Sequence, residues 1–370
     1  MLIALFAREL PLLTERGLLS IFEGLEDAEE SCMRYDDVLS MIGNTALLDL
    51  GVLFPDFKGQ VFGKAEFMNP GGSLKDRTAL RIIQAALISG ELKPGMPIVE
   101  STSGNMGAGL ALVARQLGHR FIAVMSEGNS WERRQIMAAF GAEVELTPQN
   151  PGGVPGRVTG DDWALVEQRT ERLSQELGAY RPHQFENEEG IRAHYFGTGA
   201  EIFQQIARKV THFGMAVGTG GTFMGIIGYL KEMNPKIQSF VAEPEGAAIL
   251  AGQPVTKKEH IIQGTSYCVI PQKWRPELAD HYVQVSDDET LQMTRRIAHD
   301  AGYLVGFSAG ANVAAIKKLI DSGYFSDTDV IVTILCDTGM KYLSTGLLGS
   351  EEETEISRRR GKVEAEAEAK

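Results

Sequence analysis

Two rhythms of apolar and polar residues trade places along this chain from about residue 61 to residue 335. Short apolar runs over residues 61–67, 97–100, 121–125, 143–147, 211–217, 238–242 and 329–335 read as strands, and several are rich in Val and Ile, as buried parallel strands are. Apolar positions at helical spacing predict helices over 78–88, 106–116, 130–140, 162–177, 199–210, 224–233 and 287–301. Ser286 and Glu289 form a capping box ahead of the last of these. Repeated strand–helix units predict an α/β fold of mainly parallel sheets with helices on both faces. A polar region at 180–198 splits the units into two runs, so two doubly wound domains with a cleft between them are expected. The Gly- and Pro-rich segment 148–160 reads as a surface loop.

The ends break the rhythm. Residues 1–36 read as an apolar N-terminal extension, 37–190 as a strand crossover plus a smaller α/β domain, 191–348 as a larger α/β domain, and 349–370 as a charged, solvated tail. At 370 residues the chain can bury one large or two ordinary cores. Its 36 basic and 49 acidic residues give a net charge of −13, and no basic run is interleaved with aromatics, which argues against nucleic-acid or anionic-membrane partners. Cys32, Cys268 and Cys336 are far apart and form neither a CxxC pair nor a zinc spacing, so a reducing, cytoplasmic setting and no metal are expected. Arg8 and Glu9 interrupt the apolar start before signal-peptide length, and no stretch nears the roughly 18 apolar residues of a spanning helix, which predicts a soluble protein.

Candidate chemistry sits at the junctions between strands and helices. Asn69-Pro70-Gly71-Gly72-Ser73-Leu74-Lys75-Asp76-Arg77 places Lys75 at the mouth of a predicted helix, directly after a tight turn. The positive end of the helix dipole disfavours the ammonium, and an amine of lowered pKa is a nucleophile suited to an aldehyde. A lysine merely snorkelling at a helix start is the plainer reading. Gly218-Thr219-Gly220-Gly221-Thr222 follows a predicted strand and opens a helix, a cradle of backbone N–H groups for an anion. Glu243 sits where a dinucleotide site would grip ribose, but the third glycine such a site needs is Phe223, so a single phosphate fits better than a pyrophosphate. Ser101-Thr102-Ser103-Gly104-Asn105-Met106-Gly107 crowds hydroxyls, an amide and free N–H groups at another strand-to-helix turn, a set of donors suited to a carboxylate. Gly306-Phe307-Ser308 opens a further helix, and Cys336-Asp337-Thr338-Gly339 closes the last strand. His183, His194 and His212 stand isolated and read as structural, and Cys268 as a small apolar filler.

A reactive lysine, a single-phosphate cradle and a carboxylate loop together suggest pyridoxal 5'-phosphate acting on an amino acid. From Ile42-Gly43-Asn44-Thr45 to Lys341-Tyr342-Leu343-Ser344-Thr345 the sequence resembles the cysteine synthase and cystathionine β-synthase family, the β-replacement branch of fold type II pyridoxal-phosphate enzymes. The resemblance implies that Lys75 bonds covalently to the cofactor and later moves protons. It implies that Asn105 binds the cofactor's 3′ oxygen, that Gly218, Thr219, Gly220, Gly221 and Thr222 bind its phosphate, and that Ser308 faces its ring nitrogen. Thr102, Ser103, Asn105 and Met106, the last through its backbone, are then expected to hold the substrate carboxylate. Met106 stands where a threonine is usual. A homodimer acting on an activated serine, through an aminoacrylate, with sulfide or another nucleophile is the further implication.

Tyr267, within Gly264-Thr265-Ser266-Tyr267-Cys268-Val269-Ile270-Pro271, looks more like the cystathionine β-synthases and is expected either to face the substrate or to pack as a ring. Asn69–Ser73 and Glu100–Ser103 also resemble enzymes that build diaminopropionate precursors from O-phosphoserine and glutamate. O-acetylserine or O-phosphoserine with sulfide, giving cysteine, is the leading expectation; cystathionine or another β-substituted alanine is the alternative. A catalytically silent binding protein is disfavoured by the intact Lys75, Asn105 and Ser308, and a nicotinamide dehydrogenase by Phe223.

Overall fold

The computed structural model describes residues 35–150 and 158–345. The chain divides into two units, Met1–Ser40 and Met41–Lys370. In the first, Asp37 and Ser40 close a small turn, the Ser40 amide donating to Asp37 Oδ1 at 2.8 Å. The extension's residues 1–34, loop residues 151–157 and the charged tail lie outside the described residues.

The second unit carries two sheets. A three-stranded parallel sheet is ordered β3 (Ile98–Ser101), β4 (Phe121–Ser126), β5 (Glu143–Thr147). A six-stranded sheet runs β1 (Leu47–Asp49), β2 (Gln60–Ala65), β9 (Val330–Leu335), β6 (His212–Ala216), β7 (Gln238–Pro244), β8 (His281–Val285), all parallel except β1. The larger sheet therefore draws β1 and β2 from the start of the chain, while β3 to β5 form a sheet of their own.

Strand alternation explains why the larger sheet is buried on both faces. Phe213, Met215 and Val217 pack in one core with Val330, Val332, Ile334 and Cys336. Their neighbours Ala216, Ile331 and Leu335 pack in a separate core. Helix α7 (Gly221–Met233) seals the first through Phe223, Ile226 and Leu230. Helices α8 (Asp287–Asp300) and α9 (Phe307–Asp321) seal the second through Met293, Ile297 and Ile316. The remaining helices are α1 (Lys75–Ser89), α2 (Asn105–Gln116), α3 (Trp131–Ala139), α4 (Gly160–Leu177), α5 (Glu189–Ala193) and α6 (Ala200–Gln205). Val166 and Leu173 of α4 lie against Val99, Ile122 and Val124 of the small sheet. Among the described residues no helix is long and apolar enough to cross a membrane.

Three local expectations need correction. Residues 66–68 leave the strand for a single 3₁₀ turn, and helix α1 begins at Lys75 itself rather than at 78. The helix expected over 199–210 stops at Gln205, because Ala207 and Arg208 take positive φ, 50° and 65°; it is preceded by a π-turn, His194–Gly199, inside the supposed polar break. Strands β1 and β8 carry no sequence expectation: β1 is three residues without alternation, and His281-Tyr282-Val283-Gln284-Val285 is a polar-interrupted edge. The Ser286–Glu289 capping box forms as read, and Thr159 with Asp162 makes another on α4.

Candidate active site

The carboxyl ends of β2, β3, β6 and β9 carry Lys75, Ser101–Met106, Gly218–Thr222 and Cys336–Gly339, where open parallel sheets form their ligand crevices. After β2, the Pro-Gly-Gly turn is pinned to the end of β9: the Leu74 amide donates to Cys336 O at 3.0 Å, and the Thr338 amide to Gly72 O at 3.1 Å. A side chain at Gly71 would collide with the Asp76 carboxylate, which accepts the Gly71 amide. The turn thus delivers Lys75, half-buried, as the first residue of α1. Its amine makes no hydrogen bond or ion pair among the described residues. Burial lowers the Lys75 amine to about 8, with Cys336 opposing.

After β6, Gly218 and Thr219 lead into the N-cap of α7, Gly220, which holds a left-handed φ of 85° and offers no side-chain cap. The first-turn N–H groups of α7 therefore have no intrahelical acceptor, as at any helix start, and no cap takes their place. Thr219 and Thr222 are buried beside them. A Cβ on Gly218 would stand 2.5 Å from Gly264 O, so only glycine lets the loop lie this close to the 264–271 segment.

After β3, Thr102 and Ser103 lead into α2, whose N-cap Gly104 supplies no side chain either. Asn105 is held by two charged groups: its Nδ2 donates to Asp337 Oδ2 at 2.7 Å, and Lys341 Nζ donates to its Oδ1 at 2.7 Å. This fixes the amide's orientation and leaves one N–H uncommitted. Met106 is buried, and its thioether has no hydrogen to donate. Ser308, in the first turn of α9, donates to Gln263 O at 3.3 Å.

Contacts invisible to local sequence reading knit these loops together. His194 is not isolated: its Nε2 lies 3.2 Å from both Thr78 Oγ1 on α1 and Thr222 Oγ1 on the glycine loop. Burial, then the charges of Lys75 and Arg77, hold its pKa well below the ordinary histidine range, so the ring is neutral. Arg133 of α3 reaches Ser103 O and Oγ, both at 3.4 Å, and also bonds Gln263 Oε1. Gln184 donates through Nε2 to Ser101 O at 3.4 Å. Lys341, in the turn after β9, also bonds Gly71 O at 2.8 Å, and Tyr342 donates to Asp337 Oδ2 at 2.5 Å. No local motif marks Arg133, Gln184 or Gln263; only for Lys341 and Tyr342, just beyond Cys336-Asp337-Thr338-Gly339, did the sequence hold a hint. Tyr267 is about half exposed (47%), its ring edge-on to Phe185 at 5.6 Å, and Phe185 edge-on to Trp163 at 5.9 Å. The rejected dinucleotide reading loses its acid as well: Glu243 is occupied by the amides of Leu250 and Ala251.

The family model for pyridoxal-phosphate dependent enzymes matches residues 38–337. A cysteine synthase of Staphylococcus aureus (strain Mu50) is 38% identical over 315 residues, 84% of this chain and 96% of that protein. Among solved structures, O-ureido-L-serine synthase superposes with a TM-score of 0.77 at 33% identity, over 86% of this chain and 98% of that one. The O-acetylserine dependent cystathionine beta-synthase from Helicobacter pylori gives 0.76 at 32%, over 85% and 99%. The chain accordingly belongs to the pyridoxal-phosphate dependent enzymes, in their cysteine synthase and cystathionine β-synthase family of fold type II, and pyridoxal phosphate is its cofactor.

Proposed function

We propose that the enzyme replaces the β substituent of an activated L-serine, O-acetylserine or O-phosphoserine, with sulfide to give L-cysteine. The observation that carries this reading is an amine without a partner, Lys75, after one strand of the larger sheet, with an anion cradle after another strand of the same sheet. The residues fit the cofactor: Gly218 lets the loop lie against Gly264 where any side chain would collide, and the uncapped N-terminus of α7 offers donors suited to one phosphate. Gly218 to Thr222 would hold that phosphate, Asn105 the 3′ oxygen through its uncommitted N–H, and Ser308 the ring nitrogen.

When bound, the cofactor supplies an electron sink that weakens bonds at the substrate's α-carbon. Everything else falls to the chain. Lys75 Nζ, with its ammonium disfavoured by burial, takes the α-proton and returns it to the product. Thr102, Ser103 and the first amides of α2, including that of Met106, hold the substrate carboxylate, as a helix N-terminus favours. The Ser308 hydroxyl, unlike a carboxylate partner, does not keep the ring nitrogen protonated, which favours loss of the β substituent over transamination. A reducing, cytoplasmic setting is in keeping with the free thiols of Cys268 and Cys336.

The test is a spectral titration of the holoenzyme with serine, O-acetylserine and O-phosphoserine, followed by sulfide or homocysteine. A cofactor absorbance change built by an O-activated serine and reversed by sulfide is expected. Reversal by homocysteine but not by sulfide would overturn it. That second outcome has one observation in its favour, the half-exposed Tyr267 on its aromatic ladder, and would make the enzyme a cystathionine or other β-substituted alanine synthase.

A further inference from the structure

We propose that Lys273 supplies the counter-charge for the cofactor's phosphate at the Gly218–Thr222 loop, an inference resting on the reading of that loop given above. Lys273 is buried, at 3% exposure. Its Nζ donates to two neutral acceptors, Gln184 O at 2.8 Å and Asn187 O at 3.0 Å, and no carboxylate pairs with it among the described residues. An ammonium has three protons, so one stays uncommitted, and a buried cation without a counter-ion is costly.

The side chain runs along the glycine loop. Its Cβ lies 3.5 Å from where a Cβ on Gly220 would stand. Its Nζ lies 3.5 Å from the corresponding point on Gly190, whose carbonyl carbon is in turn 3.1 Å from that point on Gly221. Stem and head thus flank the N-terminus of α7. Burial, then the charge of Lys75, draws the Lys273 amine down to about 8, and the exposed Glu188 and Glu186 oppose this. The amine is therefore still mainly charged at neutral pH.

Magnitudes give the charge a purpose. A helix N-terminus presents roughly half a positive charge, whereas a phosphate monoester carries about −1.5 to −2. Roughly one negative charge is left over. Arg77 is engaged by Glu66 and Glu201, Lys341 is held by Gly71 O and Asn105 Oδ1 beside the β9 turn, His194 is neutral, and Lys75 is committed to the reaction. Lys273 remains to meet the surplus.

The experiment uses the full chain freed of cofactor and compares its affinity for pyridoxal phosphate with that for pyridoxal, which lacks the phosphate. Lys273→Gln removes the charge while keeping two N–H donors toward the Gln184 and Asn187 carbonyls. It should weaken pyridoxal phosphate about tenfold or more and leave pyridoxal within about twofold. An equal loss for both ligands would mean that Lys273 only holds the 184–187 loop, and no loss for either would mean that its charge is idle; both overturn the inference. If the unaltered chain fails to prefer pyridoxal phosphate, the phosphate-loop reading itself falls. Should Lys273→Gln not fold, inorganic phosphate bound to the unaltered chain should slow acylation of Lys273, read by peptide mass. An unchanged rate would refute the proposal.

Discussion

Lys64 and Lys75 sit at the two ends of one stretch of chain, and the fold treats them in opposite ways. Lys64, on β2, is wholly buried, and each of its protons has an acceptor: Thr45 O at 2.6 Å, Gln205 Oε1 at 2.9 Å and Glu201 Oε2 at 2.7 Å. Arg77 completes the cluster, bonding Glu66 Oε2 at 2.8 Å and Glu201 Oε1 at 2.6 Å. Two cations meet two carboxylates, and the group ties β2 and α1 to α6. Lys75, two residues before Arg77, has no such partner. A charge kept for architecture is paired until nothing is left over, whereas Lys75 is partly desolvated and left open, as the proposed role in chemistry requires.

Lys75→Ala should draw the sharpest line between the two regions. It should reduce β-replacement by at least ~10²-fold, the contribution of a positioned general base. Stability should stay within about 1 kcal/mol, since no contact of the amine is lost. Residual turnover near that of the unaltered enzyme would remove Lys75 from the mechanism.

Glu201→Gln should do the reverse. It leaves Lys64 and Arg77 sharing one carboxylate, at a cost of about 3 kcal/mol. That is the low end for a broken buried pair, because a fifth of the Glu201 side chain (20%) is exposed. Denaturant midpoints give the loss, and turnover per folded molecule should be retained. A stability change below about 1 kcal/mol would show the cluster to be dispensable.

Acid sharpens the same contrast. Burial pushes the Glu201 carboxyl up, but the hydrogen bond and charge of Arg77, with Lys64 behind them, outweigh it and hold the group at about 2. A carboxylate whose folded pKa is depressed stabilises fully above its unfolded pKa and loses that contribution as pH falls through the folded one. Between about pH 4.5 and pH 2 the unaltered chain should therefore lose stability faster than Glu201→Gln, and the gap between them should close. A constant gap across that window would contradict the assigned pairing.

How far the sequence revealed these regions follows from the range of each interaction. Lys75, Gly218–Thr222 and Ser101–Met106 were legible because a tight turn, a glycine run and a polar cluster each mark a strand-to-helix junction within a few residues. The partners that hold them lie far away in sequence. His194 reaches Thr78 across 116 positions and Asn105 reaches Asp337 across 232, and no periodicity encodes such a meeting. The Lys64 cluster was hidden for the same reason: Glu201 lies on a helix whose start is a π-turn and whose end is set by two left-handed residues. Conversely, β9 was plain, since its short Val- and Ile-rich run is buried throughout.

Ser308→Asp probes the cleft more gently. Placing a carboxylate where Ser308 now donates to Gln263 O should slow replacement by roughly tenfold, about the worth of one altered hydrogen bond. It should also raise transamination products, because a protonated ring nitrogen stabilises charge at the α-carbon. Product analysis decides: unchanged partitioning would place Ser308 away from the ring.

Tyr267→Phe should have the smallest effect. The ring keeps its edge-on contact with Phe185 at 5.6 Å, so packing is preserved and only the half-exposed hydroxyl is lost. Sulfide is too small to need that hydroxyl, and kcat/KM for sulfide should change by less than about twofold, below the roughly 0.5–1.5 kcal/mol of a typical hydrogen bond. A larger amino-acid nucleophile has polar groups that reach beyond the reacting atom, and the half-exposed hydroxyl is a donor such groups could use. If the variant loses several-fold with homocysteine while sulfide is untouched or not used at all, the rim at Tyr267 belongs to the chemistry. The line between paired scaffold and open cleft would then have to be drawn further out, to include the ladder Tyr267–Phe185–Trp163.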